Sequence, residues 1–138
     1  MTSVDDCRLL DLARIRRPEG TITPVDSGVD LPFEIERVYY LYDIPAGAAR
    51  GGHAHRALEQ VIVCAMGAFT VTLKDGRTVR RLELNRAHVG LYIPTLIWRE
   101  LDSFSAGSVC VVLASQHFEE ADYIRDYGDF ATLKESGE

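Results

Sequence analysis

The run Phe69–Lys74 alternates apolar and polar residues, turns at Asp75-Gly76 and continues into Thr78–Leu84. Alternation on both sides of an Asp-Gly pair is the strongest short-range signal for a β-hairpin. Successive side chains of a strand face opposite sides, so each arm has one face for a core and one for solvent. An isolated hairpin is at best marginally stable in water, so a chain that encodes one must supply further strands. Phe33–Asp43 is rich in Tyr, Val and Ile and ends at Pro45-Ala-Gly47, and Gln60–Ala65 stops at Gly67. Val89–Ile93, Ile97–Leu101 and Ser108–Ala114 follow. Strands spaced this evenly, with Gly or Pro punctuation, predict an all-β antiparallel sandwich or barrel. Only Phe118–Tyr127 has an acidic first turn and a helix-like mixture, which predicts one short C-terminal helix. No linker or solenoid-length repeat interrupts the 138 residues, so 1–138 reads as a single domain. Within residues 1–15, Val4–Ile15 reads as an extra strand, of the kind that covers a barrel edge by pairing with a partner subunit.

Composition narrows the function classes. The longest apolar runs, such as Val109–Ala114, fall far short of the ~20 residues of a membrane span. A net charge of −6 argues against a nucleic-acid surface, although a local arginine cluster can still hold a nucleotide. Cys7, Cys64 and Cys110 are an odd count without a CxxC pair, and the Asp5-Asp6 N-terminus has no apolar signal region. These features predict free thiols and a cytoplasmic protein.

The chemistry-bearing residues cluster in Gly47-Ala-Ala-Arg-Gly-Gly-His53-Ala-His55. Residues two apart in a strand share a face, so both imidazoles point together into whatever the barrel encloses. The segment resembles the first metal box of the cupins, G-x5-H-x-H-x3/4-E-x6-G, and closes correctly at Gly67. Gln60, however, occupies the carboxylate position. The second box, P-x-G-x-x-H, begins at Pro94 and puts Arg99 where the third histidine belongs. With two of four ligands replaced, one by a permanent cation that would repel a dication, no metal and no other cofactor is expected. Glu59 is the alternative carboxylate, but its distance to Gly67 is then one residue too long.

What remains suits general acid–base chemistry, since an imidazole accepts and returns protons near neutral pH. Gln60 as amide donor and Arg99 as cation could hold an enolate or enediolate, as proton abstraction alpha to a carbonyl requires. Arg50, in the turn leading to the pair, is a candidate for a phosphate fork, and Arg56 a weaker one. Among Tyr39, Tyr40 and Tyr42, alternation turns at least one inward, with Tyr42 taken as the candidate ligand contact. Trp98 reads as core, Arg80-Arg81 and Glu119-Glu120 as solvated faces, and His88 and His117 as structural.

Phe33-Glu-Ile-Glu-Arg-Val-Tyr-Tyr40, Arg50-Gly-Gly-His-Ala-His55, Leu58-Glu-Gln60, Gly90-Leu-Tyr-Ile-Pro94, Trp98-Arg99 and Tyr123-Ile-Arg125-Asp-Tyr127 together resemble the nucleotide-sugar 3,4-ketoisomerases, from about residue 8 to about 130. These are small metal-independent cupins that act on dTDP-4-keto-6-deoxy-glucose. The resemblance implies a cupin jelly-roll barrel, a homodimer that exchanges N-terminal strands, and movement of the ketone from C4 to C3. His53 would take the C3 proton, and His55 or His53 would deliver one to C4. The product would feed a pyridoxal-phosphate aminotransferase. Arg99 would favour the glucose-configured product over the galactose-configured one. Glu19 falls where these enzymes more usually carry Arg or Tyr. Two rivals remain at this level. A cupin sugar-nucleotide epimerase uses a His–Asp dyad and a tyrosine, and no aspartate stands near His53 in the sequence. A non-catalytic sugar-nucleotide-binding module would bind without turnover.

Overall fold

A computed structural model of the chain describes residues 1–137. A 3-10 turn at Val4–Asp6 leads into β1 (Arg8–Asp11), β2 (Ile15–Arg17), β3 (Gly20–Ile22), β4 (Arg37–Leu41), β5 (Arg50–His55), β6 (Gln60–Met66) and β7 (Phe69–Lys74). Then come β8 (Val79–Leu84), β9 (Val89–Ile93), β10 (Trp98–Asp102) and β11 (Val109–Ala114). A second 3-10 turn (Glu120–Asp122), β12 (Tyr123–Ile124) and α1 (Tyr127–Ser136) complete the chain. Two antiparallel sheets, in the orders β1-β9-β6-β11-β4 and β12-β5-β10-β7-β8, form a cupin-type jelly roll, with β2-β3 as a separate hairpin. The Asp-Gly hairpin is β7–β8. Asp75 secures its turn by accepting from the backbone N–H of Arg77 (2.9 Å) and Thr78 (2.7 Å).

The barrel core joins Ile62, Cys64, Leu91, Ile93 and Val112 of one sheet to Phe69, Val71, Leu73 and Leu101 of the other, with Ile97 just ahead of β10. Val61, Val63 and Leu113 point the other way, into a second cluster with Leu12, Leu31 and Phe33. The segment between β3 and β4 therefore covers the outer face of the first sheet. That is why residues 61–64 are apolar without alternation: they are buried on both faces. Among the described residues no helix is long and apolar enough to cross a membrane.

Two expectations shift. The helix lies one segment later, and of Phe118–Tyr127 only Tyr127 belongs to it. Asp122 is buried and accepts from the backbone N–H of Ala57 and Leu58, which ties its segment to the turn after β5. Tyr123 and Ile124 then extend along His55 and Ala54. The helix starts only at the Asp126 cap, whose carboxylate accepts from the Asp129 N–H. At the other end Val4–Asp6 is a Ser3-capped turn, and the strand is confined to Arg8–Asp11, on β9 of the same chain.

One irregularity positions the site. His53 pairs with Arg99 and Arg50 with Leu101, so two residues of β5, Gly51 and Gly52, oppose Glu100 alone. This is a β-bulge, and both glycines have positive φ (+100° and +38°). Directly paired residues share a face, so the bulge turns Arg50 onto the face of His53 although it lies three positions away. A Cβ at Gly51 would stand 3.1 Å from the Arg99 carbonyl oxygen. Gly51→Ala is expected to cost about 1–3 kcal/mol through strain and contact together. A lowered urea midpoint would show it, and an unchanged midpoint would mean the bulge relaxes freely.

Candidate active site

The inward face of β5 carries His53 and His55, whose rings meet edge to face with centroids 4.8 Å apart. His55 is almost fully buried. Its Nδ1 lies 3.0 Å from Asp122 Oδ2, and His53 Nδ1 lies against the carbonyl of Gly51. A carbonyl and a carboxylate only accept, so each imidazole carries its proton on Nδ1 and presents a bare Nε2. Among the described residues both Nε2 atoms are buried and have no partner. Burial and the nearby Arg99 cation push His53 down to about 4. The same two causes, in that order, lower His55 as well. At neutral pH both rings are uncharged.

Arg99, directly opposite His53, is only 1% exposed. Its Nε and Nη2 donate to the carbonyl of Ile97 (3.2 and 2.9 Å), and its Nη1 donates to Gln60 Oε1. Among the described residues the Gln60 amide nitrogen is buried and makes no hydrogen bond of good geometry, with the Tyr39 phenol its polar neighbour. Burial draws Arg99 down to about 10, still a cation at neutral pH. The interior thus holds two neutral proton acceptors, a fixed positive charge and a spare amide donor. Such a set can move a proton and stabilise the oxyanion left behind.

As a metal site the set does not fit. The third-histidine position is a guanidinium, and the oxygen of Gln60 is turned to it. Glu59 sits on the other face of the first sheet, where its Oε1 accepts from the Tyr92 hydroxyl at 2.5 Å.

The expected residues do not all converge. His53, His55, Gln60 and Arg99 do, and the bulge brings Arg50 to the same face at the exposed end of β5. Tyr42 does not: it is 61% exposed and stacks on Tyr40 outside the barrel, with centroids 5.8 Å apart. The inward tyrosine is Tyr39, because β4 turns Arg37, Tyr39 and Leu41 inward. Its phenol stands beside Gln60, and burial raises its pKa. Glu19 lies exposed in the tight turn of the β2–β3 hairpin. Trp98 packs under α1 against Phe130 and donates to Glu100, as a core residue would.

Asp122 and Tyr123 were not expected here. Asp122 is 67 residues from His55, and the acidic run Glu119-Glu120-Ala-Asp122 reads as a helix start. The one available signal was the Tyr123-Ile124 pair interrupting that run. The carboxylate missing near His53 in the sequence thus arrives from a distant segment, and it orients His55.

Residues 5–135 match the family described as FdtA: WxcM-like, C-terminal. The TDP-4-oxo-6-deoxy-alpha-D-glucose-3,4-oxoisomerase of Aneurinibacillus thermoaerophilus is 38% identical over 123 residues, 89% of this chain and 88% of that enzyme. A histidine-to-asparagine mutant of the 3,4-ketoisomerase QdtA from Thermoanaerobacterium thermosaccharolyticum, in complex with TDP-4-keto-6-deoxyglucose, superposes with a TM-score of 0.92. It is 37% identical, over 94% of each chain. The TDP-quinovose 3,4-ketoisomerase WlaRB from Campylobacter jejuni is 40% identical, with a TM-score of 0.88 over 92% of this chain and 98% of that one. Fold and relatives together define an isomerase of cupin type. The chain belongs to the FdtA family, that of the sugar-nucleotide 3,4-ketoisomerases.

Proposed function

We propose that the protein converts TDP-4-keto-6-deoxyglucose to a TDP-3-keto-6-deoxy hexose, glucose-configured at C4, without metal or other cofactor. The carrying observation is the pair of buried, unpartnered Nε2 atoms beside the Arg99 guanidinium. His53 Nε2 takes the C3 proton; the C3–H electrons form a C3–C4 double bond, and the C4 carbonyl oxygen becomes an enediolate oxygen. Arg99 and the spare Gln60 N–H stabilise that charge. As the C3 carbonyl forms, the O3 proton is taken up by the enediolate oxygen, which becomes the C4 hydroxyl, and C4 takes up the proton held by His53, directly or handed on through His55 Nε2. The sugar is oxidised at C3 and reduced at C4, so no outside oxidant is needed.

Arg99 beside Trp98, and the 40% identity to an enzyme named for TDP-quinovose, support the glucose configuration. Arg50, on the same face as His53 at the exposed end of β5, is suited to the diphosphate. Exposed Leu9, Ile15 and Ile22 along the N-terminal region support a homodimer in which a second copy covers them; exchange of residues 1–15 would require the β1–β9 pairing to pass to the partner. Three buried, unbonded cysteines support a cytoplasmic setting.

The test is a proton NMR time course with TDP-4-keto-6-deoxyglucose in D2O and no added metal. A 3-keto product with deuterium at C4 is expected, its ring couplings reporting the configuration. Exchange at C3 or C5 with the ketone still at C4 would replace this reading by an epimerase, and binding without exchange by a non-catalytic module.

A further inference from the structure

An imidazole on a strand has a broad torsion about its ring bond, so a paired-histidine pocket needs something to fix the rings. In a metal-binding cupin the ion would hold the inner nitrogens; here both Nε2 atoms are free. Orientation therefore has to come from Nδ1 and from the ring faces. On the Nδ1 side, the carboxylate facing His55 is itself immobile. Asp122 Oδ1 accepts from Ala57 N–H at 2.7 Å, and Oδ2 accepts from Leu58 N–H at 3.2 Å as well as facing His55. On the ring side, Tyr123 pairs in register with His55 and lies against both imidazoles, with centroids 4.5 Å from His55 and 5.0 Å from His53. The phenol ring is backed by Arg125, whose Cζ sits 4.1 Å from its centroid, and Glu120 holds Arg125 by a two-point ion pair.

We propose that Asp122 and Tyr123 are the positioning residues of the histidine pair. Asp122 keeps the His55 proton on Nδ1, so that Nε2 is an obligate acceptor, and Tyr123 locks the mutual orientation of the two rings by packing. Both residues leave the substrate to the histidines and act through them. The inference rests on the proton-transfer role proposed for the pair, but its first readout needs no turnover.

That readout is the His55 tautomer in long-range proton–nitrogen NMR spectra of the free wild-type enzyme. The Nδ1–H form is expected across neutral pH, and an Nε2–H form would overturn the Asp122 role whatever reaction the enzyme performs. Asp122→Asn is expected to mix or invert the tautomer and lower kcat about 10²- to 10⁴-fold with KM little changed, as when an orienting carboxylate is lost. Wild-type kcat in that variant would overturn the role, and should the variant not fold, the wild-type tautomer decides alone. For Tyr123, the Phe variant is expected to keep kcat within about 3-fold of wild type, while the Leu variant loses about 10-fold or more and shifts its kcat/KM pH profile. Equal losses in both would assign the work to the hydroxyl, and no loss in either would remove Tyr123 from the site; each overturns the packing role.

Discussion

His53→Asn is expected to lower kcat by about 10²- to 10⁴-fold, the usual worth of a positioned general base. Affinity for TDP should stay within about 3-fold, since the nucleotide does not depend on the lost proton acceptor. Asparagine isolates that function well. Its side-chain N–H can replace Nδ1 as donor to the Gly51 carbonyl, so the Gly51-Gly52 bulge keeps the contact that anchors it. What disappears is the Nε2 lone pair. Turnover by NMR, TDP affinity by calorimetry and a thermal melt separate the cases. A variant that folds, binds TDP and keeps kcat within about 10-fold of wild type would show that His53 is not the base.

Arg99→Met should act on two observables at once. Losing a preorganised cation at the developing oxyanion is expected to lower kcat about 10²- to 10³-fold. The second effect concerns pH. His53 accepts a proton only when neutral, so activity falls as pH drops through its pKa. In the wild type burial and Arg99 hold that value at about 4, which puts the acid limb of kcat/KM there. Without Arg99 the Coulombic part of the depression goes and the burial part stays, so the limb moves to higher pH without reaching the ordinary histidine range. A limb that stays in place would break the electrostatic link between the two residues. The Ile97 carbonyl and Gln60 Oε1 also lose their donor, at about 1–3 kcal/mol for each group left unsatisfied, so the melting temperature should fall as well.

Much of the site was legible because strand periodicity is local. His53 and His55 had to share a face, and the box spacing carried Gln60 and Arg99 to the same interior. Three things were illegible for separate physical reasons. Residues 38–42 are apolar or aromatic on both faces, so local periodicity left their phase open between Tyr39 and Tyr42. The face of Arg50 depends on a bulge, and Gly51-Gly52 announces a possible irregularity without saying which residue it re-aims. Asp122 reaches His55 through a long-range contact, and its acidic neighbours carry a local helix signal that the pairing of Tyr123 with His55 overrides. The hairpin at Asp75-Gly76 needed none of this, because both of its strands and its turn agree within one stretch of chain.

The buried Arg99–Gln60 contact also measures how far this barrel stands from a different trade. Both imidazoles already aim bare Nε2 lone pairs inward, two of the four ligands that the cupin boxes specify. Gln60→Glu combined with Arg99→His would supply the other half at the matching positions of the cupin boxes. The guanidinium thus stands where a metal's charge would: while it stays, a transition ion meets a like charge beside both imidazoles, and two substitutions separate this residue set from that of a metal cupin.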